Sequence, residues 1–241
     1  MLEVTLNSAI GKSYLLTGSP RTSPVLAPVE ALTELSGTSS RTDLAVPGRS
    51  GVIPGRRRFE PIQADIEFYL HADTGEQMER VYREFRQGWS KSIPSTLRVN
   101  ADHPLGAFFL DLWLGQPLAG VPVDMRRRTQ ATVVASIFSP KGLFRSAPLS
   151  GEGEVTVSNM GDEIIYPRVG YEGEGGEVES PSGARFTLPP VAEYTVIDLD
   201  PRRLRLDGAF PEGVPAGESG TWILPEGATL LWHVEVADAW A

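Results

Sequence analysis

The segment from Pro47 to Val99 constrains the fold of this chain more than any other stretch. It is the one part in which a loop, a strand, a helix and a second strand follow one another. From Phe59 to Leu70, apolar and polar residues largely alternate, as expected for a strand with one buried and one exposed face. Asp65 and Glu67 fall on the exposed face of this predicted strand.

A helix is predicted directly after this strand, over about residues 75–88. Its apolar residues recur at helical spacing and form one stripe, which consists of Met78, Val81, Tyr82, Phe85 and Trp89. Asp73 or Thr74 is suited to cap the start with a side-chain oxygen, and Gly88 is suited to end the helix. We therefore expect an amphipathic helix that packs its apolar stripe on a sheet.

Charge divides the chain of 241 residues into two predicted modules. Residues 1–150 contain 17 Lys and Arg against 14 Asp and Glu, whereas residues 151–241 contain 5 against 17. Such a step is common between modules with different neighbours, although an acidic module can simply be a soluble one. The segment 139–153 is rich in Ser, Gly and Pro, so we expect a first domain over residues 1–147 and a second over 148–241.

The first module is predicted to be α+β, an antiparallel sheet or sandwich with one covering helix. Further strand patterns lie at the N-terminus and at Ser95–Val99, Ala107–Leu114 and Met125–Phe138. Between residues 18 and 55 the chain is dense in Pro, Gly, Ser and Thr and shows little periodicity. A structureless loop of this length is unusual inside a compact domain, so we expect either disorder or an arm, at about residues 36–58, that meets a partner.

The end of this predicted arm is rich in glycine and arginine. Its glycines and arginines include Arg49, Gly51, Gly55, Arg56, Arg57 and Arg58. A phosphate-binding loop would need a Lys-Ser/Thr pair leading into a helix, whereas this segment leads into a strand. Nucleic-acid binding is also a weaker interpretation than an arm that meets a partner, because the chain is acidic overall and no aromatic residues lie between the arginines.

The second module is predicted to be all-β, because short strand patterns follow one another between turn residues and no segment has helical period. The pattern is typical of a β-sandwich. The predicted strands are Glu154–Ser158, Ile164–Tyr171, Gly176–Pro181, Ala184–Leu188, Glu193–Asp198, Arg203–Leu206, Gly220–Leu224 and Thr229–Val236.

Nothing in the sequence favours an enzyme, a metal site or a cofactor. The chain has no cysteine, and its three histidines, His71, His103 and His233, lack a second ligand at a recognisable spacing. No Gly-x-Ser-x-Gly motif is present, and Asp198 and Asp200 precede a proline in a predicted turn. A glycoside hydrolase therefore remains a remote alternative. No apolar run approaches the length of a membrane span and no secretion signal is visible, so we expect synthesis in a cytoplasm and no membrane contact.

A carbohydrate-binding β-sandwich is a stronger alternative. Such modules stack sugars on exposed aromatic side chains, and Trp222 and Trp232 are the candidates in the second module. Tryptophan within an apolar strand is, however, more often used for packing between sheets.

The order of these elements resembles the distal tail protein of long-tailed bacteriophages. In the first module the resemblance lies in the loop PGRSGVIPGRRR, the strand that follows it, the helix around EQMERVYREF and the strand containing LRV. In the second module it lies in VSNMGDEIIYPRV, ARFTLP, YTVIDLDPRRLRLDG and GTWILPEGATLLW. Each motif is weak alone, and their order along nearly the whole chain carries the resemblance.

This resemblance implies a structural component of the phage virion, synthesised in a bacterial cytoplasm. Proteins of this family form a ring, typically of six subunits, that joins the tail tube to the tail hub, and their outer modules are galectin-like in fold. The resemblance implies that the glycines and arginines of the arm cross to a neighbouring subunit and that Asp65 and Glu67 lie in the ring wall. The implied partners are the tail tube, hub, tape-measure and receptor-binding proteins, with DNA only in transit through the bore.

Overall fold

The computed structural model describes residues 2–48, 50–120, 123–203, 206, 208 and 211–240. The chain separates into two compact units, one of residues 1–144 with 237–241 and the other of residues 145–236. The predicted division assigned the whole C-terminal end to the second module, whereas the structure groups the last residues with the first unit. One reason is local, since the indole Nε1 of Trp240 donates a hydrogen bond of 2.8 Å to the carbonyl oxygen of Leu35.

Seven strands of the first unit are hydrogen-bonded side by side, in the order β2-β1-β9-β10-β11-β8-β3, and their pairings are antiparallel. The strands up to the unit boundary are β1 (Glu3–Asn7), β2 (Ser13–Leu15), β3 (Val25–Leu26), β4 (Ser39–Arg41), β5 (Leu44–Ala45), β6 (Val52–Ile53), β7 (Arg57–Phe59), β8 (Ile62–His71), β9 (Ser95–Asn100), β10 (Phe108–Leu114), β11 (Gln130–Ser139) and β12 (Phe144–Ser146). The helices are α1 (Val29–Thr33) and α2 (Gly75–Gln87), with a 3-10 turn at Met125–Arg127. The predicted α+β architecture is confirmed.

Strand β8 has the predicted two-faced character. Ile66, Phe68 and Leu70 are buried, whereas Asp65 and Glu67 are exposed. The strand pairs with β11 along its full length of 10 residues, so that directly opposed side chains share a face. The two longest strands of the unit therefore present one apolar face to the core and one exposed face.

Helix α2 covers the apolar face of this sheet. Met78 and Phe85 are fully buried, and the Phe85 ring packs in edge or tilted geometry against Tyr14, Phe68 and Trp89. Val81 and Tyr82, which the helical spacing assigned to the core, are only half-buried. Tyr82 lies on the helix flank, where its ring stacks under the guanidinium of Arg86.

Local contacts explain where α2 begins and where it ends. The side chain of Thr74 accepts a hydrogen bond of 3.3 Å from the backbone N–H of Gln77, which satisfies one of the unpaired amides at the helix start. Gly88 ends the helix with φ of −66°. It therefore does not adopt the left-handed conformation for which glycine is commonly favoured at helix ends. A Cβ at Gly88 would crowd the side chain of Ser8 at 2.9 Å, so close approach explains the glycine. Among the described residues, no helix has the length and apolar content of a membrane span.

The second unit contains two antiparallel four-stranded sheets, with orders β13-β20-β15-β18 and β14-β19-β16-β17. The strands of these two sheets are β13 (Leu149–Glu152), β14 (Glu154–Ser158), β15 (Arg168–Gly173), β16 (Gly176–Glu179), β17 (Arg185–Leu188), β18 (Val191–Asp198), β19 (Ser219–Ile223) and β20 (Thr229–Trp232). The short strand β21 (Glu235–Val236) lies outside both sheets and pairs with β12. Val169 and Leu230 in the first sheet are fully buried, as are Val157 and Trp222 in the second. Each sheet thus has one apolar face, and the two faces cover each other in the predicted β-sandwich.

Several predicted strands of this unit differ from the structure. The predicted strand Thr229–Val236 is divided into β20 and β21. The segment expected to pair from Ile164 onward becomes a strand only at Arg168, and Ile165 instead makes a single bridge with Val214. Arg203, the predicted start of another strand, lies in a turn, and residues 204 and 205 lie outside the described residues. Proline at position 167 explains the late start of β15, because proline lacks the N–H that continued pairing requires.

Candidate functional site

The predicted arm is a β-hairpin. Strands β4 and β7 pair with Ser39 opposite Phe59 and Arg41 opposite Arg57, and β5 and β6 pair with Leu44 opposite Ile53. Residues 39–59, here called the arm hairpin, therefore have regular structure where the sequence showed little periodicity. Gly51 lies near the tip with φ of +85°, a conformation that favours glycine. Arg49, an expected interface residue, lies outside the described residues.

A clasp of three residues holds the two ladders of the arm hairpin in register. The carboxylate of Asp43 accepts hydrogen bonds from the Arg41 guanidinium at 2.9 Å and from the backbone N–H of Gly55 at 3.0 Å. The Arg41 hydrogen bond, assisted by that of Gly55, lowers the pKa of Asp43. Position 55 requires glycine for steric reasons, because a Cβ there would overlap the carbonyl oxygen of Thr42.

The side chains of the arm hairpin face solvent. Leu44, Val52 and Ile53 are 64%, 53% and 54% exposed, so three large apolar side chains have no cover in a single chain. The arginines at the base of the hairpin, Arg56, Arg57 and Arg58, are exposed as well. Basic residues beside uncovered apolar residues are typical of a surface that meets another protein.

The exposed face of β8 and β11 is the second notable surface of the first unit. Asp65 accepts a hydrogen bond from the Ser136 hydroxyl on the opposite strand. Glu67 accepts one of 3.2 Å from the Tyr69 hydroxyl, which raises the pKa of that tyrosine. The face also carries Val134, which is 50% exposed. Both predicted wall carboxylates are thus held in place and directed to solvent.

A cleft of about 930 Å³, here called the β10–β11 cleft, lies at one end of this face. Strands β10 and β11 pair at Trp113 with Phe138 and at Leu114 with Ile137, and both residues of the first pair are half-buried. Gln63, opposite Phe138, continues this row, and the lining also includes Asp65, Lys91 and Gln116. Sequence reasoning missed this cleft, since it depends on which strands become neighbours.

In the second unit, the tryptophans do not form a sugar platform. Trp222 is fully buried, so in this structure it presents no surface on which a sugar could stack. Its indole Nε1 has no hydrogen-bond partner among the described residues, which is unusual for a buried N–H group. Trp232 is half-buried.

The prominent exposed aromatic residue of this unit is Tyr194, which the sequence did not single out. Tyr194 is 59% exposed on β18, an edge strand. Its ring lies across Gly170 on the neighbouring strand, where a Cβ would overlap the tyrosine hydroxyl. The alternation in YTVID could have indicated an exposed Tyr194, but the glycine beneath it is known only from the strand register.

Several titratable side chains considered in the sequence have local partners in the described part of the chain. Among the described residues, no group of three or more His, Asp and Glu side chains could hold a metal ion. His71 lies 2.9 Å from the carbonyl oxygen of Ser23, and His233 lies 3.0 Å from the Glu235 carboxylate. Asp200 is bound by the Arg202 guanidinium at 2.6 Å, which lowers the pKa of the carboxyl. This pair belongs to the predicted turn.

Comparisons with known proteins find the same fold in solved phage structures. The crystal structure of the Dit protein of phage SPP1, a paradigm of the hub adsorption apparatus in phages that infect Gram-positive bacteria, is 9% identical, with a TM-score of 0.57 over 98% of this chain and 99% of the other. A chain of the activated phage P2 baseplate with calcium is 10% identical, with a TM-score of 0.58 over 99% of both chains. The strontium form gives 10% identity and a TM-score of 0.56 over 97% of this chain and 98% of the other.

These similarities confirm the expected resemblance at the level of fold, across both units. No family model and no curated protein matches the chain. The residues of the arm hairpin and the exposed face are therefore interpreted from their own geometry below.

Proposed function

We propose that this protein is a non-catalytic structural component of a phage tail tip or baseplate. The observation that carries the proposal is the agreement of fold, along nearly the whole chain, with the SPP1 Dit protein and the P2 baseplate chain. The exposed arm hairpin supports it independently, because an ordered two-stranded hairpin with uncovered apolar side chains is stable chiefly when another surface packs on it.

In this proposal the protein assembles as a ring, with six subunits the expected number, between the tail tube and the tail hub. Head-to-tail rings need two different surfaces on each subunit, and the arm hairpin is one of them. Gly51 and Gly55 shape it, and Arg49, Arg56, Arg57 and Arg58 carry its positive charge. Asp65 and Glu67 lie in the ring wall, where a carboxylate-bearing bore repels DNA in transit.

The second unit is the outward docking module of this proposal. Its exposed residues Tyr194 and Val196 lie on an edge strand, a type of surface that other proteins use for pairing. Baseplate and receptor-binding proteins are the expected partners of this module, and a galectin-like sandwich is its expected fold. The hub and tape-measure proteins are expected partners of the ring. No observation favours the carbohydrate alternative over this role, since Trp222 is inaccessible.

Assembly of the purified protein tests the proposal. Mass photometry and negative-stain microscopy, at high concentration and after mixing with tail-tube or hub protein, are expected to detect rings. Deleting residues 49–55 is expected to leave a folded chain that forms none. A protein that stays monomeric under all these conditions would falsify the proposal.

A matched pair of point variants controls for nonspecific loss of apolar surface. Ile53 and Ile93 are 54% and 57% exposed, but only Ile53 lies on the arm hairpin. Ile53→Ser is expected to reduce ring formation at least tenfold, whereas Ile93→Ser leaves it unchanged. Equal effects of the two substitutions would argue against an assembly role for the arm hairpin.

A further inference from the structure

Met160 is the one strongly exposed methionine among the described residues. It is 62% exposed, whereas Met78 is fully buried and Met125 is 6% exposed. Met1, the fourth methionine of the chain, lies outside the described residues. A thioether at the surface is open to attack by a dissolved oxidant, whereas a thioether in the core is reached only when the chain opens locally. Exposure therefore separates Met160 chemically from the two buried methionines.

The segment 159–163, here called the Met160 loop, is organised around a buried amide. Asn159 is 2% exposed, and its side-chain nitrogen donates hydrogen bonds of 2.8 Å to the carbonyl oxygens of Glu163 and Val214. Its side-chain oxygen accepts a hydrogen bond of 2.9 Å from the N–H of Gly161. Both donor hydrogens of the amide are therefore satisfied, as a buried polar group requires.

Backbone contacts hold the Met160 loop on both sides of the methionine. The N–H of Asn159 donates to the carbonyl oxygen of Glu218 at 2.9 Å, and the N–H of Asp162 donates to that of Glu235 at 2.8 Å. At Gly161 an added Cβ would overlap the same carbonyl oxygen of Glu235, so the loop packs closely on its neighbour. None of these contacts uses the methionine side chain, so they do not depend on its chemical state.

A sulfoxide has opposite consequences at a buried and at an exposed methionine. Oxidation turns the apolar thioether into a polar S–O group. At Met160, water can solvate that group. Met78 lies on the buried face of α2, where an S–O group would leave water for an apolar core at a cost in free energy. Met160 can therefore be oxidised while the chain stays folded, and its sulfoxide stays accessible to an enzyme that removes the oxygen.

We propose that Met160 is a site of reversible oxidation by hydrogen peroxide. The sulfur attacks one peroxide oxygen, the O–O bond breaks as the S–O bond forms, and the other oxygen leaves as water after proton transfer. The sulfur loses two electrons and the peroxide gains them. A methionine sulfoxide reductase reverses the change, since it releases the oxygen as water while two thiols become a disulfide. The proposal does not depend on ring assembly.

Peptide mapping by mass spectrometry, after timed exposure of the full chain to hydrogen peroxide, tests the proposal. In the folded protein we expect Met160 to gain one oxygen at a rate on the order of tenfold above that of Met78 and Met125. The three rates should converge in concentrated urea, because unfolding exposes all three side chains. Equal rates in the folded protein, or a Met160 that resists peroxide, would overturn the proposal.

Reversal is measured on the oxidised protein without unfolding it. Methionine sulfoxide reductases specific for each of the two sulfoxide epimers, together with dithiothreitol, are expected to remove the oxygen from Met160. The melting temperature of the oxidised protein should stay within about 1 °C of the untreated value, as is usual for a change at an exposed side chain. A sulfoxide that resists both reductases, or a clearly lower melting temperature, would overturn the reversible character of the site.

Met160→Leu is the matched control variant, because leucine keeps an apolar side chain of similar size without the sulfur. Under conditions that oxidise Met160 alone among the three described methionines, this variant is expected to gain one oxygen fewer than the unsubstituted chain. Its melting temperature should be unchanged, since the position is exposed. If the variant gained as many oxygens as the unsubstituted chain, the reactive group would lie elsewhere and the proposal would fail.

Discussion

At the scale of single residues, Gly55 determines most directly whether the arm hairpin can form. A Cβ at this position would overlap the backbone carbonyl oxygen of Thr42, and backbone atoms cannot swing aside as a side-chain end can. We expect Gly55→Ala to distort the ladder of Arg41 and Arg57 and to reduce ring formation at least tenfold. Because the hairpin is exposed, the melting temperature should fall by no more than about 2–4 °C, the shift that corresponds to 1 kcal/mol in a chain of this size.

Gly120 provides the matched control for this prediction. It lies in a loop of the same unit, with no atom within 4 Å of an added Cβ and no positive φ. Gly120→Ala should therefore leave both assembly and melting temperature unchanged. Mass photometry and calorimetry measure the two quantities, and normal rings from Gly55→Ala would contradict the steric argument.

At the scale of elements, the arm hairpin depends on the charged form of Asp43. The hydrogen bonds from Arg41 and Gly55 lower the pKa of Asp43 in the folded state, relative to about 3.9 in an unfolded chain. The clasp therefore stabilises the hairpin fully above that pH, and its contribution is lost as the pH falls through the lowered pKa. The hairpin should be insensitive to pH from neutrality down to about 5 and should loosen in stronger acid.

The backbone amide of Gly55 reports this titration locally, because it donates directly to Asp43. In NMR spectra its shift should move with a midpoint below that of an ordinary aspartate. Asp43→Asn keeps a side-chain oxygen acceptor but removes the titrating group, so the same amide should lose that pH response. A Gly55 amide that titrates at the ordinary value, in either protein, would rule out the clasp.

At the scale of the whole molecule, the two units have different surfaces and different proposed roles. The basic arm belongs to the first unit, and all of the excess negative charge lies beyond residue 150. In the second unit the core and the exposed surface use different aromatic residues, Trp222 inside and Tyr194 outside. Substitutions at these two positions should therefore separate folding from docking.

Trp222→Ala is expected to lower the free energy of unfolding by about 3–5 kcal/mol, since it empties a fully buried aromatic site. Tyr194→Ala, at an exposed position, should change it by no more than about 0.5 kcal/mol. Urea unfolding followed by circular dichroism measures both values. If Trp222→Ala left stability unchanged and abolished signal on a glycan array, the carbohydrate alternative would return.

Local periodicity explains which predictions of structure were accurate. The alternation in β8, the apolar stripe of α2 and the cap at Thr74 depend on residues within a few positions of one another, so the sequence indicated them closely. Val81 and Tyr82 follow the same spacing yet remain half-buried, because spacing defines the width of the stripe and not how far the sheet extends beneath it.

The Gly- and Arg-rich stretch before β8 shows which features of this protein the sequence predicts and which depend on tertiary structure. Composition and the lack of periodicity predicted that residues 36–58 form either a disordered segment or an arm. The hairpin, with its clasp and its exposed apolar side chains, forms only when Ser39–Arg41 pairs with Arg57–Phe59, and no local pattern specifies that pairing. The burial of Trp222 and the existence of the β10–β11 cleft were likewise decided by tertiary structure, because burial and concavity depend on which distant strands become neighbours.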